Sequence, residues 1–429
     1  MATRALILVE GDPTGTGLLY IQSAQRLGLH PITLSADPAQ YSYLERKGYE
    51  AIRVDTDDLD ALIRECSRIG ATYDIAGITS SLEAFYATIG KLCQYFDLPG
   101  PNPTSIERCC DKFTQRQLLA EAGVPVPAYR LAENATDVDS AAAEIGLPVI
   151  LKPAVGAGSR GVRLCSDANE MTQHTTYLLG GKHIWRCSPK ILVEEFAQGP
   201  QYNLEVMGNE VIGVAAADYG PPHFVCREHI YPAPLTADEC ERITDVSLRC
   251  LRALGLGWGP ANIELRWTKR GPVIIEINPR LAGSPVPQLV QLAYDVDLVT
   301  EHIKLVIGDE WDLRKRRSHT AAARYLIPDC DGTLDWINGD RRAAAISGVA
   351  EVKMYVEPKT PIVRKGDYRD RIGHVLAASP TRSRTEATLQ RAVDLIDWSI
   401  TPFPTLGEQE QSLGQTLSSS TPPVRDNRY

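Results

Sequence analysis

The sequence predicts a multidomain protein of mixed α/β and α+β class. Three observations carry this. The chain has 429 residues, enough for about two to four domains. Hydrophobic residues make up 43% and charged residues 23%, which supplies a large core and excludes a wholly disordered chain. Short apolar runs alternate with helical stretches over roughly the first 100 residues, the pattern of a parallel sheet covered by helices.

Residues 5–9 are a continuous apolar run and read as a buried strand. Gly11, Gly15 and Gly17 follow in a turn, and 18–27 has helical spacing. Strands are expected at 31–35, 51–54 and 74–79, and helices at 59–69 and after Ser81-Leu82-Glu83. The turn reads Gly-x-x-x-Gly-x-Gly, not the Gly-x-Gly-x-x-Gly of dinucleotide binding, and no acidic residue at the end of the second strand settles ribose binding, Asp37 being no more than a candidate. A tight strand-to-helix turn and a nucleotide site both stay open. The Pro-rich stretch 98–103 closes a first domain, 1–100. A helix over 105–122 stops at Gly123, and a short helix is expected at 137–145. Strand 147–153, glycine loop 156–161 and strand 162–165 make a hairpin-like flap, not the strand–loop–helix of a Walker loop. Strands at 190–196, 202–207 and 211–216 follow, the last two joined by Gly208-Asn209. A helix over 237–254 ends at Gly255 and Gly257. Residues 261–267 and 272–277 pair across Lys269-Arg270-Gly271, and 286–308 is helical. That completes a second domain, 101–310. A third, 311–405, has strands at 322–327 and 349–356 and a closing helix at 386–396. Residues 406–429 are rich in Gly, Ser, Gln and Pro and read as a disordered tail.

Lys plus Arg number 45 against 54 Asp plus Glu, a net charge of -9. Neither nucleic acid nor an anionic membrane rewards negative protein charge, so neither is expected as a partner. The first apolar run is too short for a signal peptide, and no stretch approaches the ~20 apolar residues of a membrane span. A cytoplasmic location is expected. The ten cysteines lack Cys-x-x-Cys spacing, and the eight histidines form no His-x-x-x-His pair. Reduced, mostly structural thiols are expected, and a histidine-based metal site is not.

The chemistry concentrates in Asn262-Ile263-Glu264-Leu265-Arg266 and Ile274-Ile275-Glu276-Ile277-Asn278-Pro279-Arg280. Side chains alternate faces along a strand, so Glu276 and Asn278 share one face, and Glu264 on the paired strand can join them. Two carboxylates and an amide oxygen form a hard oxygen set that suits Mg²⁺ (or Mn²⁺). Arg280 continues that face and offers a planar fork to phosphate or carboxylate. Lys152 lies in an otherwise apolar strand, where an ammonium needs a partner. Lys112 begins a helix, and the loop with Gly158 and Ser159 could lay backbone N–H groups along a polyphosphate. Each of these last three also fits a plainer role: a snorkelling lysine for Lys152, a surface lysine for Lys112, an ordinary turn for the loop.

In this order the residues resemble the ATP-grasp superfamily over roughly 1–310. The matching segments are Asp111-Lys112, Ile150-Leu151-Lys152-Pro153, the glycine loop, Leu192-Val193-Glu194-Glu195-Phe196, Glu264, and Glu276-Ile277-Asn278-Pro279-Arg280. The resemblance implies an ATP-grasp fold behind an N-terminal α/β domain, and carboxylate–amine ligation through an acylphosphate. It implies ATP as cosubstrate, with Lys112, Lys152, Gly158 and Ser159 at the phosphates and the linker Glu194, Glu195, Phe196 and Ala197 holding adenine through backbone groups. Glu264, Glu276 and Asn278 would hold the metal, and Arg280 would steady the acylphosphate. Two departures stand out. Gln201 occupies the place where many relatives carry a ribose-binding Glu, and Asn262 stands where many have His.

Within the superfamily the chain is similar to the L-amino-acid ligases. Asn278-Pro279-Arg280-Leu281-Ala282-Gly283-Ser284 runs on into a helix as theirs does. Ala323-Arg324-Tyr325-Leu326-Ile327-Pro328, Gly332-Thr333-Leu334 and Asp370-Arg371-Ile372-Gly373-His374-Val375 resemble their C-terminal domain. The resemblance implies small-molecule carboxylate and amine substrates, amino acids among them, and leaves room for a homodimer. Glu228 and His229 would contact the substrate, with Ser284 and Arg280, although a surface loop also fits the Glu228 segment. Rival readings are another ATP-grasp ligase or carboxylase, a non-catalytic nucleotide-binding protein, and a nicotinamide dehydrogenase resting on the first glycine turn.

Overall fold

A computed structural model describes residues 2–12, 15–181 and 189–403. The expected tail, 406–429, lies outside these residues, as do Cys187 and the middle of the first glycine turn. Four sheets form among the described residues. The first is parallel, in the order β3-β2-β1-β4: β1 (Arg4–Val9), β2 (His30–Ser35), β3 (Glu50–Arg53) and β4 (Asp74–Thr79). Its inner strands are apolar on both faces because helices cover both, as the uninterrupted Ala5–Val9 burial shows.

The second sheet is antiparallel, in the order β5-β8-β6-β7: β5 (Tyr129–Ala132), β6 (Val149–Pro153), β7 (Arg163–Cys165) and β8 (Ile191–Glu195). β6 and β7 pair with the glycine loop between them, the expected flap.

The third sheet has eight strands in the order β13-β12-β9-β10-β11-β14-β18-β16. These are β9 (Gln201–Met207), β10 (Glu210–Gly220), β11 (Val225–Tyr231), β12 (Pro260–Thr268), β13 (Gly271–Asn278), β14 (Thr320–Leu326), β16 (Val349–Met354) and β18 (Gly373–Ser379). β15 (Gly332–Asn338), β17 (Pro361–Ile362) and β19 (Asp397–Thr401) form the fourth sheet. The expected boundary at 310 divides the sequence but not the large sheet, because β14 pairs with β11 from Tyr231↔Ala321 to Glu228↔Arg324.

One face of the large sheet carries Leu204, Val206, Ile263, Leu265 and Ile277 into a core with the helix Ala237–Leu254. That helix opens with a capping box of Thr236 and Glu239 and stops at left-handed Gly255, as its sequence predicts. The other face carries the site.

The helix expected over 105–122 is two helices, Pro103–Cys110 and Lys112–Glu121. Asp111 breaks it: its backbone is extended, and its carboxylate caps the second helix by accepting from Thr114 N. The break sets Lys112 at the first helical position. The helix Ala168–Gly180 was not expected, although Asp167 and Glu170 give it a start signal. The closing helix runs Arg382–Val393, earlier than 386–396. No described helix is long and apolar enough to cross a membrane. The cysteines among the described residues are free.

Candidate active site

Register builds the site. Glu264 lies opposite Glu276, and Asn262 opposite Asn278, across β12 and β13. On the other side of β12, Asn262 meets Glu205 and Glu264 meets Asn203. With Gln201 at the start of β9, one face of three strands therefore carries three carboxylates and four amides. The sequence pattern identified Glu264, Glu276 and Asn278 there. Glu205 went unnoticed, although Gln201, Asn203 and Glu205 alternate with Tyr202, Leu204 and Val206 as a polar stripe would.

Two lysines and two arginines answer these charges. Lys112 Nζ lies 2.9 Å from Glu276 Oε1 and also donates to Gly156 O. Lys152 Nζ lies 2.5 Å from Glu194 Oε2, and Arg116 Nε donates to Glu194 Oε1 at 2.6 Å. Arg116 is fully buried, and it ties the second sheet to β13 by donating to Ile275 O. Gln115 clamps β13 as well, accepting from Ile277 N at 3.0 Å and donating to Ile277 O at 2.9 Å. Neither residue was anticipated. Both lie three and four residues beyond Lys112, on the buried face of its helix, a spacing the sequence displays. Arg280 Nε stands 3.2 Å from Glu83 Oε2, so the first domain contributes an acid to the site.

The protonation preferences follow. Burial pushes the Lys112 ammonium down, but Glu276 beside it outweighs this and holds it above its ordinary value. Lys152 ends below its own, because burial and then Arg116 oppose what Glu194 restores. Burial raises Glu194 and Glu276, yet their cations draw both below the usual carboxylate range. Glu264 differs. Burial and the facing Glu276 push it up to about 7, and its one hydrogen bond among the described residues comes from Gln201 Nε2 at 3.1 Å. Glu205, receiving Asn262 Nδ2 at 2.6 Å, is also pushed up to about 7 by burial.

This set fits a divalent cation. Glu264 is a half-buried carboxylate with no partner cation among the described residues. Asn203 Oδ1, on the facing strand, is buried with no hydrogen-bond partner among the described residues. Acceptors left unpaired beside an uncompensated anion are what a hard cation requires.

Other expected residues fall as follows. The Glu194 side chain is locked between Arg116 and Lys152, and its backbone lies in a ladder with strands on both sides. The backbone beyond the strand begins at Phe196 and Ala197. Glu195 points outward to Arg270 at 2.9 Å. Gly199 closes the linker where a Cβ would stand 1.9 Å from Trp267 O, so only glycine fits. In the glycine loop, Gly158 and Ser159 both have positive φ; Ser159 Oγ bonds Phe224 O at 3.0 Å, and Gly158 O accepts from Tyr368 N at 3.3 Å. Ser284 sits before the helix Val286–Tyr294 and receives Gln288 Nε2 at 3.4 Å. Glu228 and His229 cannot share a site, because neighbours on a strand face opposite ways. Glu228 lies on the far face, bound to Arg324, which also donates to Gln390. His229 lies on the site face, and burial pushes it down to about 3.

Two family models match this chain. The carbamoyl-phosphate synthase L chain, ATP binding domain, matches residues 111–314, and the L-amino acid ligase C-terminal domain 2 matches 324–401. The chain belongs to the ATP-grasp superfamily. Membership supports ligase activity. This ATP-grasp chain is 63% identical to the uncharacterized protein y4rH of Sinorhizobium fredii over 409 residues, 95% of this chain and 85% of that one. It is 28% identical to human carnosine synthase 1 over 325 residues, 70% of this chain, but spans only 39% of that relative. Its fold matches the crystal structure of an L-amino acid ligase from Bacillus licheniformis with a TM-score of 0.78 at 18% identity, covering 94% of this chain and all (100%) of that one.

Proposed function

We propose that this protein is an ATP-dependent carboxylate–amine ligase that joins its substrates through an acylphosphate, with at least one L-amino acid among them. The observation that carries the reading is the facing Glu264, Glu276 and Asn278 set, ringed by Lys112, Lys152 and Arg280. Adenine would lie on the Phe196–Ala197 linker, ribose near Gln201, and the phosphates between Lys112, Lys152 and the Gly158–Ser159 loop.

Glu264, Glu276 and Asn278 would hold Mg²⁺, which when bound neutralises charge on the phosphate oxygens. Lys112 and Lys152 orient the triphosphate, already fixed by Glu276 and Glu194. A carboxylate oxygen attacks the γ-phosphorus, and the bond to ADP breaks. Arg280 faces the transferring group, where negative charge is greatest in the transition state. The amine then attacks the acyl carbon, and phosphate leaves with one former carboxylate oxygen. The glycine loop, anchored at its foot by Ser159 and Tyr368, would cover the intermediate against water. A homodimer and a cytoplasmic location belong to the same proposal.

The test is substrate labelled with ¹⁸O in the carboxylate, screened over amino-acid pairs. Label is expected in inorganic phosphate, with ADP as coproduct and an amide or dipeptide by mass spectrometry. AMP with pyrophosphate, or unlabelled phosphate, would end the acylphosphate reading.

A further inference from the structure

Each cation discussed above has an anion: Lys112 has Glu276, Lys152 and Arg116 have Glu194, and Arg280 has Glu83. Arg371 has none. Among the described residues no carboxylate reaches its guanidinium, and its Nε is buried without a hydrogen-bond partner. It lies flat on Tyr325, 3.8 Å from the ring centroid. The stack recovers part of what desolvating the guanidinium costs, not all of it.

Its position belongs to the site. Arg371 lies two residues before β18, and the intervening Ile372 N is held on Leu326 O at 2.8 Å, at the end of β14. Register places Gln201, Ala217, His229, Ala323 and Tyr325 on the face that carries Glu264. Tyr219 meets His229 edge-on at 6.2 Å, and His229 meets Tyr325 at 6.0 Å. This ring wall runs from the carboxylate set to Arg371, and the Tyr219 hydroxyl feels both Glu264 and Arg371. The wall supplies no negative charge. Burial pushes the Tyr219 and Tyr325 hydroxyls up and the Cys226 thiol to about 12, and holds His229 neutral.

We infer that Arg371 receives the free carboxylate of the amine substrate, making that substrate an α-amino acid or a peptide with an open C-terminus. This rests on the ligase reading. That chemistry activates one carboxylate beside Arg280 and the metal set, and an amino-acid nucleophile brings a second that must stay unreacted. A guanidinium fixed on a ring presents a planar fork suited to it, at the far end of the wall from the phosphates.

The experiment compares wild type, Arg371→Met and Arg371→Lys in two measurements. The first is phosphate release over amino-acid pairs, with each nucleophile also offered as its C-terminal amide. Wild type should show KM at least tenfold higher for the amide. Arg371→Met should raise KM for the acid at least tenfold, leave the amide unchanged and keep kcat near wild type, with Arg371→Lys between. The second is the melting temperature with free amino acids or their amides, without ATP. Acids alone should raise it, and Arg371→Met should abolish the rise. The ligand-free Arg371→Met protein should melt no lower than wild type, since a guanidinium with a buried, unbonded Nε and no partner anion among the described residues is removed, whereas a structural role predicts a lower value. Equal losses for acid and amide, an unchanged KM for the acid, or no carboxylate-selective rise would overturn the inference. If no pair releases phosphate but the selective rise persists and needs Arg371, the ligase reading fails while the carboxylate site stands.

Discussion

Glu194 is a buried carboxylate and Glu264 a half-buried one, and their surroundings are opposite. Glu194 sits between two cations, Arg116 and Lys152. Glu194→Gln would strand both, so it should cost about 3–5 kcal/mol of stability, read by chemical denaturation. Glu264 faces another carboxylate and has no partner cation among the described residues. Glu264→Gln should therefore leave the ligand-free melting temperature equal or higher, while ATP-dependent turnover falls by two orders of magnitude or more. A variant that loses stability and keeps turnover would place Glu264 in the scaffold. The histidines give a pH prediction. Burial holds His229 and His302 down at about 3, well below the ordinary 6.5. The unfolded chain then binds protons that the folded one refuses, so stability is lost as pH falls below the unfolded value. Each contributes up to about 1.4 kcal/mol per pH unit. His302→Leu should flatten the dependence between pH 6.5 and 4.5 by roughly one proton; an unchanged slope would assign the acid sensitivity elsewhere.

At the scale of elements, the Phe196–Gly199 linker is held against β12 so closely that Gly199→Ala forces a Cβ onto Trp267 O. A loss of more than about 2 kcal/mol is expected from the displaced linker and the strained φ, with KM for ATP raised in whatever protein still folds. A variant as stable as wild type would show that the linker yields. The elements also show what the sequence made legible. Strands β1, β6, β12 and β13 were readable because each carries its period-two or continuous apolar pattern locally. Glu264, Glu276 and Asn278 came from the same alternation. Arg116 and Gln115 were equally visible on the Lys112 helix face, but a buried arginine reads as solvent-facing until its partner Glu194, 78 residues away, is known. Asp111 hid a helix break because both sides are helical. β17, two residues long, carries no periodicity to read. Glu83 and Arg371 reach the site only through folding over distances that no local pattern encodes.

At the scale of the whole molecule, the pairing of β11 with β14 makes the last third of the chain part of the scaffold that holds the site. Cut after Ser318, the protein would present β11 as a raw sheet edge, its N–H and C=O groups open to any passing strand. Ile230 would lose Ala322 and Val375 above it. The 1–318 fragment should accumulate as soluble aggregates by size-exclusion chromatography with light scattering, where the full chain does not. A well-behaved monomeric fragment would show that the edge protects itself. The same seam governs any attempt to trade specificity between relatives. A C-terminal region cannot be exchanged like a bead on a string; the graft must match the Glu228–Tyr231 ladder residue for residue. A slip of one position would turn Arg324 away from Glu228 and Tyr325 away from His229 together.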